Sequence, residues 1–72
     1  MPLTDSLRDD ILASVPSLRA FAISLSGNGD RADDLVQETL LRAIANIDSF
    51  QPGSNLPAWL FTILHNLFRS DY

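Results

Sequence analysis

A chain of 72 residues allows one domain, close to the lower size limit for folding without a staple. It has no cysteine, which removes disulfides and thiolate metal sites and fits a reducing cytoplasm, the expected location. A net charge of −4 with no lysine excludes free-standing, non-specific nucleic-acid binding, because that mode relies on Lys and Arg neutralising phosphates.

If the domain touches DNA, a larger partner must supply most of the attraction. No basic stretch precedes an apolar run, so no signal peptide is expected. No apolar run approaches the roughly 18 residues of a membrane helix, so no membrane association is expected.

In chain order, Thr4 or Asp5 can cap a first helix over about residues 4–14, with Asp5, Asp9 and Asp10 early in it. Leu3, Leu7, Ile11 and Val15 share its apolar side. Pro16 breaks that helix or starts the next, and proline is tolerated in a first turn. Ser14 or Val15 can therefore cap a second helix over 16–26 with Leu18, Phe21, Ala22 and Leu25 inward, although a kinked continuous helix also fits. Gly27-Asn28-Gly29-Asp30 reads as a turn. Asp30 as N-cap followed by Asp33 gives the third helix a capping-box-like start.

The third helix, over 30–48, has two faces. At about 100° per residue, Ala32, Leu35, Val36, Thr39, Leu40, Ala43, Ile44 and Ile47 fall on one arc, expected to be buried. Asp34, Gln37, Glu38 and Arg42 lie opposite, with Leu41 and Ala45 among them. Asp34, Gln37 and Glu38 sit at i, i+3 and i+4, so they cluster. An apolar centre ringed by polar groups suits a partner-binding face, whereas a solvated acidic face with one exposed leucine is the plainer alternative.

Residues 49–56 hold Pro52 and Gly53 and read as a loop. Asn55 or Leu56 caps a last helix over 57–70, with Pro57 at its first position. Trp59, Leu60, Phe61, Ile63, Leu64, Leu67 and Phe68 cover a wide arc of it. Thr62, His65, Asn66 and Arg69 occupy the remaining stripe. The expected fold class is all-α, a small bundle of three to four helices with no sheet, in a single domain over residues 1–72.

Catalysis fits poorly. The one histidine lacks a second ligand at helical spacing, and the aspartates do not follow the alternation of a calcium loop. No glycine-rich phosphate loop is present. No enzyme activity, catalytic residue, metal or cofactor is expected. The loop and last helix suit unstacked bases better, because aromatics (Phe50, Trp59, Phe61) flank amides and an arginine. Taken singly, Trp59 and Phe61 fit a core and the stripe fits ordinary surface.

Together, these residues carry a resemblance. Ala32-Asp33-Asp34-Leu35-Val36-Gln37-Glu38-Thr39, then Phe50, then Pro57 to Asn66 (PAWLFTILHN) resemble region 2 of bacterial sigma factors of the extracytoplasmic-function (ECF) subgroup. Each piece is weak alone, but the combination is specific and covers the chain from about Leu7 to Tyr72. The resemblance implies a helical module that docks on the clamp helices of the RNA polymerase β′ subunit, and that recognises and melts the promoter −10 element.

Carried over by position, Asp34, Gln37 and Glu38 contact polymerase, with Leu41 added from the helical wheel. Gln51, Ser54 and Asn55 in the loop are assigned to a captured non-template base, and Thr62, His65, Asn66 and Arg69 to the strand. His65 stands where the family pattern favours a small or basic residue. No region 4 is expected in this stretch. The sequence is also similar to the alphaproteobacterial general stress response group. That likeness implies an anti-sigma partner, and an alternative function as a sigma-like decoy that binds the anti-sigma factor and not promoter DNA.

Overall fold

The computed structural model describes residues 4–70. Leu3, expected on the first apolar face, and Tyr72, the far end of the resemblance, lie outside the described residues. Four helices follow one another: α1 (Asp5–Ala13), α2 (Val15–Ser26), α3 (Gly29–Ala45) and α4 (Leu56–Ser70), with a 3-10 turn, Ile47–Ser49, between the last two. No strand occurs among the described residues, as the all-α reading expects.

Local chemistry sets each boundary. Thr4 caps α1, its Oγ1 accepting the Leu7 N–H at 3.1 Å. Pro16 has no N–H to give the Leu12 carbonyl, so the helical ladder is interrupted there. Ser14 separates α1 from α2 yet keeps right-handed helical angles, and its hydroxyl donates to the Asp10 carbonyl at 3.0 Å. The junction is thus a tight break rather than a loop. Gly27 ends α2 in the left-handed region at φ 69°, where its N–H donates to the Ile23 carbonyl at 2.7 Å.

Both expected ends of α3 are corrected, and so is the start of α4. Asp30 does not cap α3. Asn28 does, from an extended backbone, with its Oδ1 accepting the Arg31 N–H at 3.0 Å. An amide at this position reaches the third N–H of the helix, so α3 starts one residue earlier and Asp30 falls in its first turn. Asp33 is free of any capping duty and accepts from Arg19 Nε at 2.8 Å, tying α3 to α2.

The other end of α3 stops at Ala45 rather than Asp48. Asn46 closes it: both its backbone N–H and its side-chain amide donate to the Arg42 carbonyl, at 3.0 and 2.9 Å. A short polar side chain competing for backbone groups ends a helix in this way. The chain then tightens into the 3-10 turn, which brings Ile47 and Phe50 inward, both buried. In α4 the cap is Asn55, whose Oδ1 accepts the Ala58 N–H at 3.1 Å, and Pro57 is the second helical residue, not the first.

The core lies where α3 packs against α2 and α4. Leu18, Ala22, Ala32, Ala43, Leu60 and Leu64 are fully buried, and the alanines let the helix axes approach closely. Thr39 is also fully buried, and its hydroxyl is satisfied by the Leu35 carbonyl at 2.7 Å. Ile44, expected in the core, is 48% exposed. At about 100° per residue it lies roughly 120° from the centre of the arc that α2 and α4 cover. Leu40, nearer that centre, is half-buried. Among the described residues, no helix is long and apolar enough to cross a membrane.

Candidate docking and nucleic-acid interface

The outward face of α3 displays Asp34, Gln37, Glu38 and Leu41, all exposed. Leu41 is 65% exposed, the most of any large apolar residue described. Ile44 stands one turn beyond it on the same side. The face therefore has an apolar pair, Leu41 and Ile44, bordered by an amide and two carboxylates. Sequence reasoning assigned Ile44 to the core. The signal against that was the width of the proposed arc: eight residues span more of the helix than two neighbouring helices cover.

The stripe on α4 is equally open: Thr62, His65, Asn66 and Arg69 are all exposed. At about 100° per residue they sit opposite the buried line of Leu56, Leu60 and Leu64, and so form the crest of the helix. Thr62 donates its hydroxyl to the Ala58 carbonyl at 2.9 Å, which leaves its oxygen lone pairs facing outward. Arg69 lies in the last turn, where a cation is favoured by the helix dipole.

The connecting loop is a defined turn. The Ser54 N–H donates to the Gln51 carbonyl at 3.1 Å across Pro52 and Gly53, with Gly53 at φ 89°. Proline followed by a glycine of positive φ is the type II signature. The Ser54 hydroxyl donates to the same carbonyl, and the Asn55 side-chain oxygen is engaged as the α4 cap. What these residues still offer outward is the Gln51 side chain, the Asn55 amide nitrogen and the Ser54 lone pairs.

The aromatic residues beside the loop are mostly structural. Phe50 is 7% exposed and packs on Trp59 with ring centroids 5.1 Å apart at 44°. Phe61 packs on Phe21 at 5.1 Å and 45°. Trp59 and Phe61 remain half-buried, so each keeps part of its surface at the flank of the crest.

The two faces meet. A groove of about 660 Å³ between α3 and α4 is lined by Leu35, Glu38, Arg42, Trp59, Ile63 and Asn66, among others. Glu38 belongs to the α3 face and Asn66 to the α4 crest, with apolar side chains between them. Among the described residues, no group of three His, Asp or Glu side chains is placed to hold a metal ion.

Comparison with known proteins places this architecture. Residues 11–65 match the family model described as the Sigma2 domain of PhyR. The chain is 94% identical over its whole length to the ECF RNA polymerase sigma factor EcfG of Rhodopseudomonas palustris, of which it spans 40%. It is 45% identical over 47 residues to the ECF sigma factor SigE of Mycolicibacterium smegmatis, covering 65% of this chain and 18% of that protein. The structure superposes on the sigma factor RpoE from Bartonella quintana, solved in complex with the anti-sigma factor NepR, with a TM-score of 0.88 and 56% identity. That match covers 94% of this chain and 42% of RpoE. The chain thus spans less than half the length of these relatives. It belongs to the family described as the Sigma2 domain of PhyR, which its residues 11–65 match, and its fold and sequence are those of a region 2 domain of the ECF sigma-factor type.

Proposed function

We propose that this domain acts in transcription initiation as the module of an alternative sigma factor that docks on RNA polymerase and reads and melts the promoter −10 element. The carrying observation is the pair of exposed faces joined by one groove: Asp34, Gln37, Glu38 and Leu41 on α3, and Thr62, His65, Asn66 and Arg69 on α4. The α3 face docks on the β′ clamp helices, with Ile44 extending its apolar centre. The α4 crest takes the non-template strand, and Gln51, Ser54 and Asn55 border a captured base.

The charge balance supports this order of events. An acidic domain binds DNA feebly by itself. Held on polymerase, it meets promoter at high local concentration. Melting needs no fuel, because capturing a base offsets unstacking, which costs roughly a few kcal/mol per base. The RpoE–NepR complex supports an anti-sigma partner here as well, and the likeness to EcfG supports a place in the general stress response.

Capture of β′ clamp helices tests the docking half. Gln37→Ala combined with Glu38→Lys replaces a carboxylate with a cation and should weaken capture by about tenfold or more. Equal capture by wild type and variant removes the polymerase assignment.

A second reading is a sigma-like decoy that binds the anti-sigma factor and leaves promoter DNA alone. It draws on the matched family model, described as a domain of PhyR rather than of a sigma factor. A fluorescence assay on open-promoter oligonucleotides with core polymerase present separates the two. The decoy gives no preference for −10 sequence, and the sigma factor does.

A further inference from the structure

The turn that joins α2 to α3 holds a dipeptide that neither exposed face uses. Asn28 is followed by Gly29, and both residues are exposed. The other asparagines, Asn46, Asn55 and Asn66, are each followed by isoleucine or leucine. Asn28 has a structural duty, because its Oδ1 accepts the Arg31 N–H at 3.0 Å and so caps α3.

Gly29 has no duty that requires glycine. Gly27 and Gly53 take positive φ, and Gly29 does not. It is already the first residue of α3, and a Cβ on it would meet only Arg19 Nη2, at 3.8 Å, an ordinary contact. A glycine in a helix weakens it relative to alanine. The fold therefore gives no reason for glycine at this position.

The missing side chain does have a chemical consequence. With no Cβ on residue 29, nothing hinders its backbone nitrogen from approaching the Asn28 side-chain carbon Cγ. The nitrogen loses its proton to solvent and bonds to Cγ. The Cγ–Nδ2 bond breaks, and Nδ2 takes up a proton and leaves as ammonia. Water then opens the resulting succinimide at either carbonyl. One opening leaves aspartate at position 28. The other leaves isoaspartate, in which the chain runs through the former side chain. Neither step needs an oxidant or an enzyme.

The cap restrains the ring closure. While Oδ1 is held by the Arg31 N–H, Cγ cannot turn freely onto the Gly29 nitrogen. The reaction waits for the first turn of α3 to open, and helix ends open at low free-energy cost.

We propose that Asn28–Gly29 is a site of spontaneous deamidation, gated by the α3 cap, that divides ageing molecules into two forms. The aspartate form still caps α3, since aspartate caps as well as asparagine, and it adds a negative charge at the favourable end of the helix. The isoaspartate form gains a methylene in its backbone. It loses the acceptor for the Arg31 N–H and displaces the carbonyl that accepts the Ala32 N–H at 2.9 Å. The start of α3 then loosens, together with Asp33 and its bond to Arg19 Nε. None of this depends on the promoter-reading function.

The test incubates the protein in warm, mildly alkaline heavy-oxygen water and maps the label by peptide mass spectrometry. Isoaspartyl methyltransferase marks the isoaspartate fraction. Label is expected at position 28 well before Asn46, Asn55 or Asn66. In Gly29→Ala the rate should fall by about tenfold, because the added Cβ crowds the approach, while the melting temperature stays equal or rises. Denaturant should speed conversion of wild type by releasing the cap. The isoaspartate fraction should melt below fresh protein, and Asn28→Asp should melt with fresh protein or above it.

Conversion at Asn28 no faster than at the other three asparagines overturns the site, and so does an equal rate in Gly29→Ala. Equal rates in folded and denatured protein overturn the gate. An isoaspartate fraction that melts like fresh protein overturns the division into a capped and an uncapped form.

Discussion

Glu38 on α3 and Asn66 on α4 line one groove, of about 660 Å³, although they belong to the two faces proposed for different partners. Leu35, Trp59 and Ile63 share the lining with the polar Arg42, Asn46 and Ser49. The two faces therefore share an edge. On the proposed function, a polymerase helix seated on α3 borders the path of a strand on α4. An amphipathic helix laid in the groove would cover part of both.

The first prediction concerns the apolar centre of the α3 face. Leu41 and Ile44 are exposed, at 65% and 48%. Replacing both with serine should leave stability within about 0.5 kcal/mol of wild type per site, because neither is in the core. Capture of the β′ clamp helices should fall about tenfold, since a desolvated apolar centre carries most of the energy of such a face. Thermal melting and the capture assay check the two halves together. Unchanged capture would assign Leu41 and Ile44 to surface without a partner. A large drop in melting temperature would return Ile44 to the core.

Much of this architecture was legible in the sequence because a helix repeats its neighbours at fixed angles. The inward set of Leu18, Ala22, Leu35, Val36, Thr39, Leu60 and Leu64 follows from apolar spacing alone. The errors fall where periodicity carries no information. Asp30 and Asn28 are both good caps two residues apart, and the choice between them depends on backbone angles that composition does not encode. Ile44 looks buried on a wheel, but the number of helices packed around α3 sets how wide the covered arc is. The Phe50–Trp59 contact joins residues nine apart across a loop, a pairing that helical periodicity does not reach.

The second prediction follows from the cap. Asn28→Ala removes the acceptor for the Arg31 N–H and should cost about 1 kcal/mol of stability. Asp30→Ala loses only a favourable charge in the first turn, worth roughly 0.3–1 kcal/mol at low ionic strength and less in salt. Denaturant melts of both variants at low and high salt separate the two contributions. The Asn28 deficit should persist at high salt while the Asp30 deficit shrinks. The reverse pattern would restore Asp30 as the cap.

The third prediction concerns Phe50 and Trp59, which pin the two ends of the loop together. Phe50 is buried, so Phe50→Ala should cost roughly 3–5 kcal/mol and lower the melting temperature strongly. Phe50→Leu keeps the volume more nearly and isolates the ring. In a double-mutant cycle of Phe50→Leu with Trp59→Leu, the coupling should be about 0.5–1.5 kcal/mol, the usual range for a tilted aromatic pair. Additive effects would mean that the two rings are independent core residues and that their contact does not hold the loop.

The last prediction isolates the loop from the rest of the fold. Gly53 sits at φ 89°, and nothing lies within 4 Å of where a Cβ would be, so any cost of adding one comes from the backbone alone. Gly53→Ala should distort the turn that joins the Gln51 carbonyl to the Ser54 N–H, at a cost of about 1–2 kcal/mol. Asparagine visits positive φ more readily, so Gly53→Asn should fall between alanine and wild type. Because α3 is untouched, capture of the β′ clamp helices should match wild type in both variants. The −10 base preference of the holoenzyme should weaken in the order wild type, Gly53→Asn, Gly53→Ala. A full wild-type preference in Gly53→Ala would show that bases are read by the crest of α4 without help from the turn, and Gln51, Ser54 and Asn55 would then leave the reading surface.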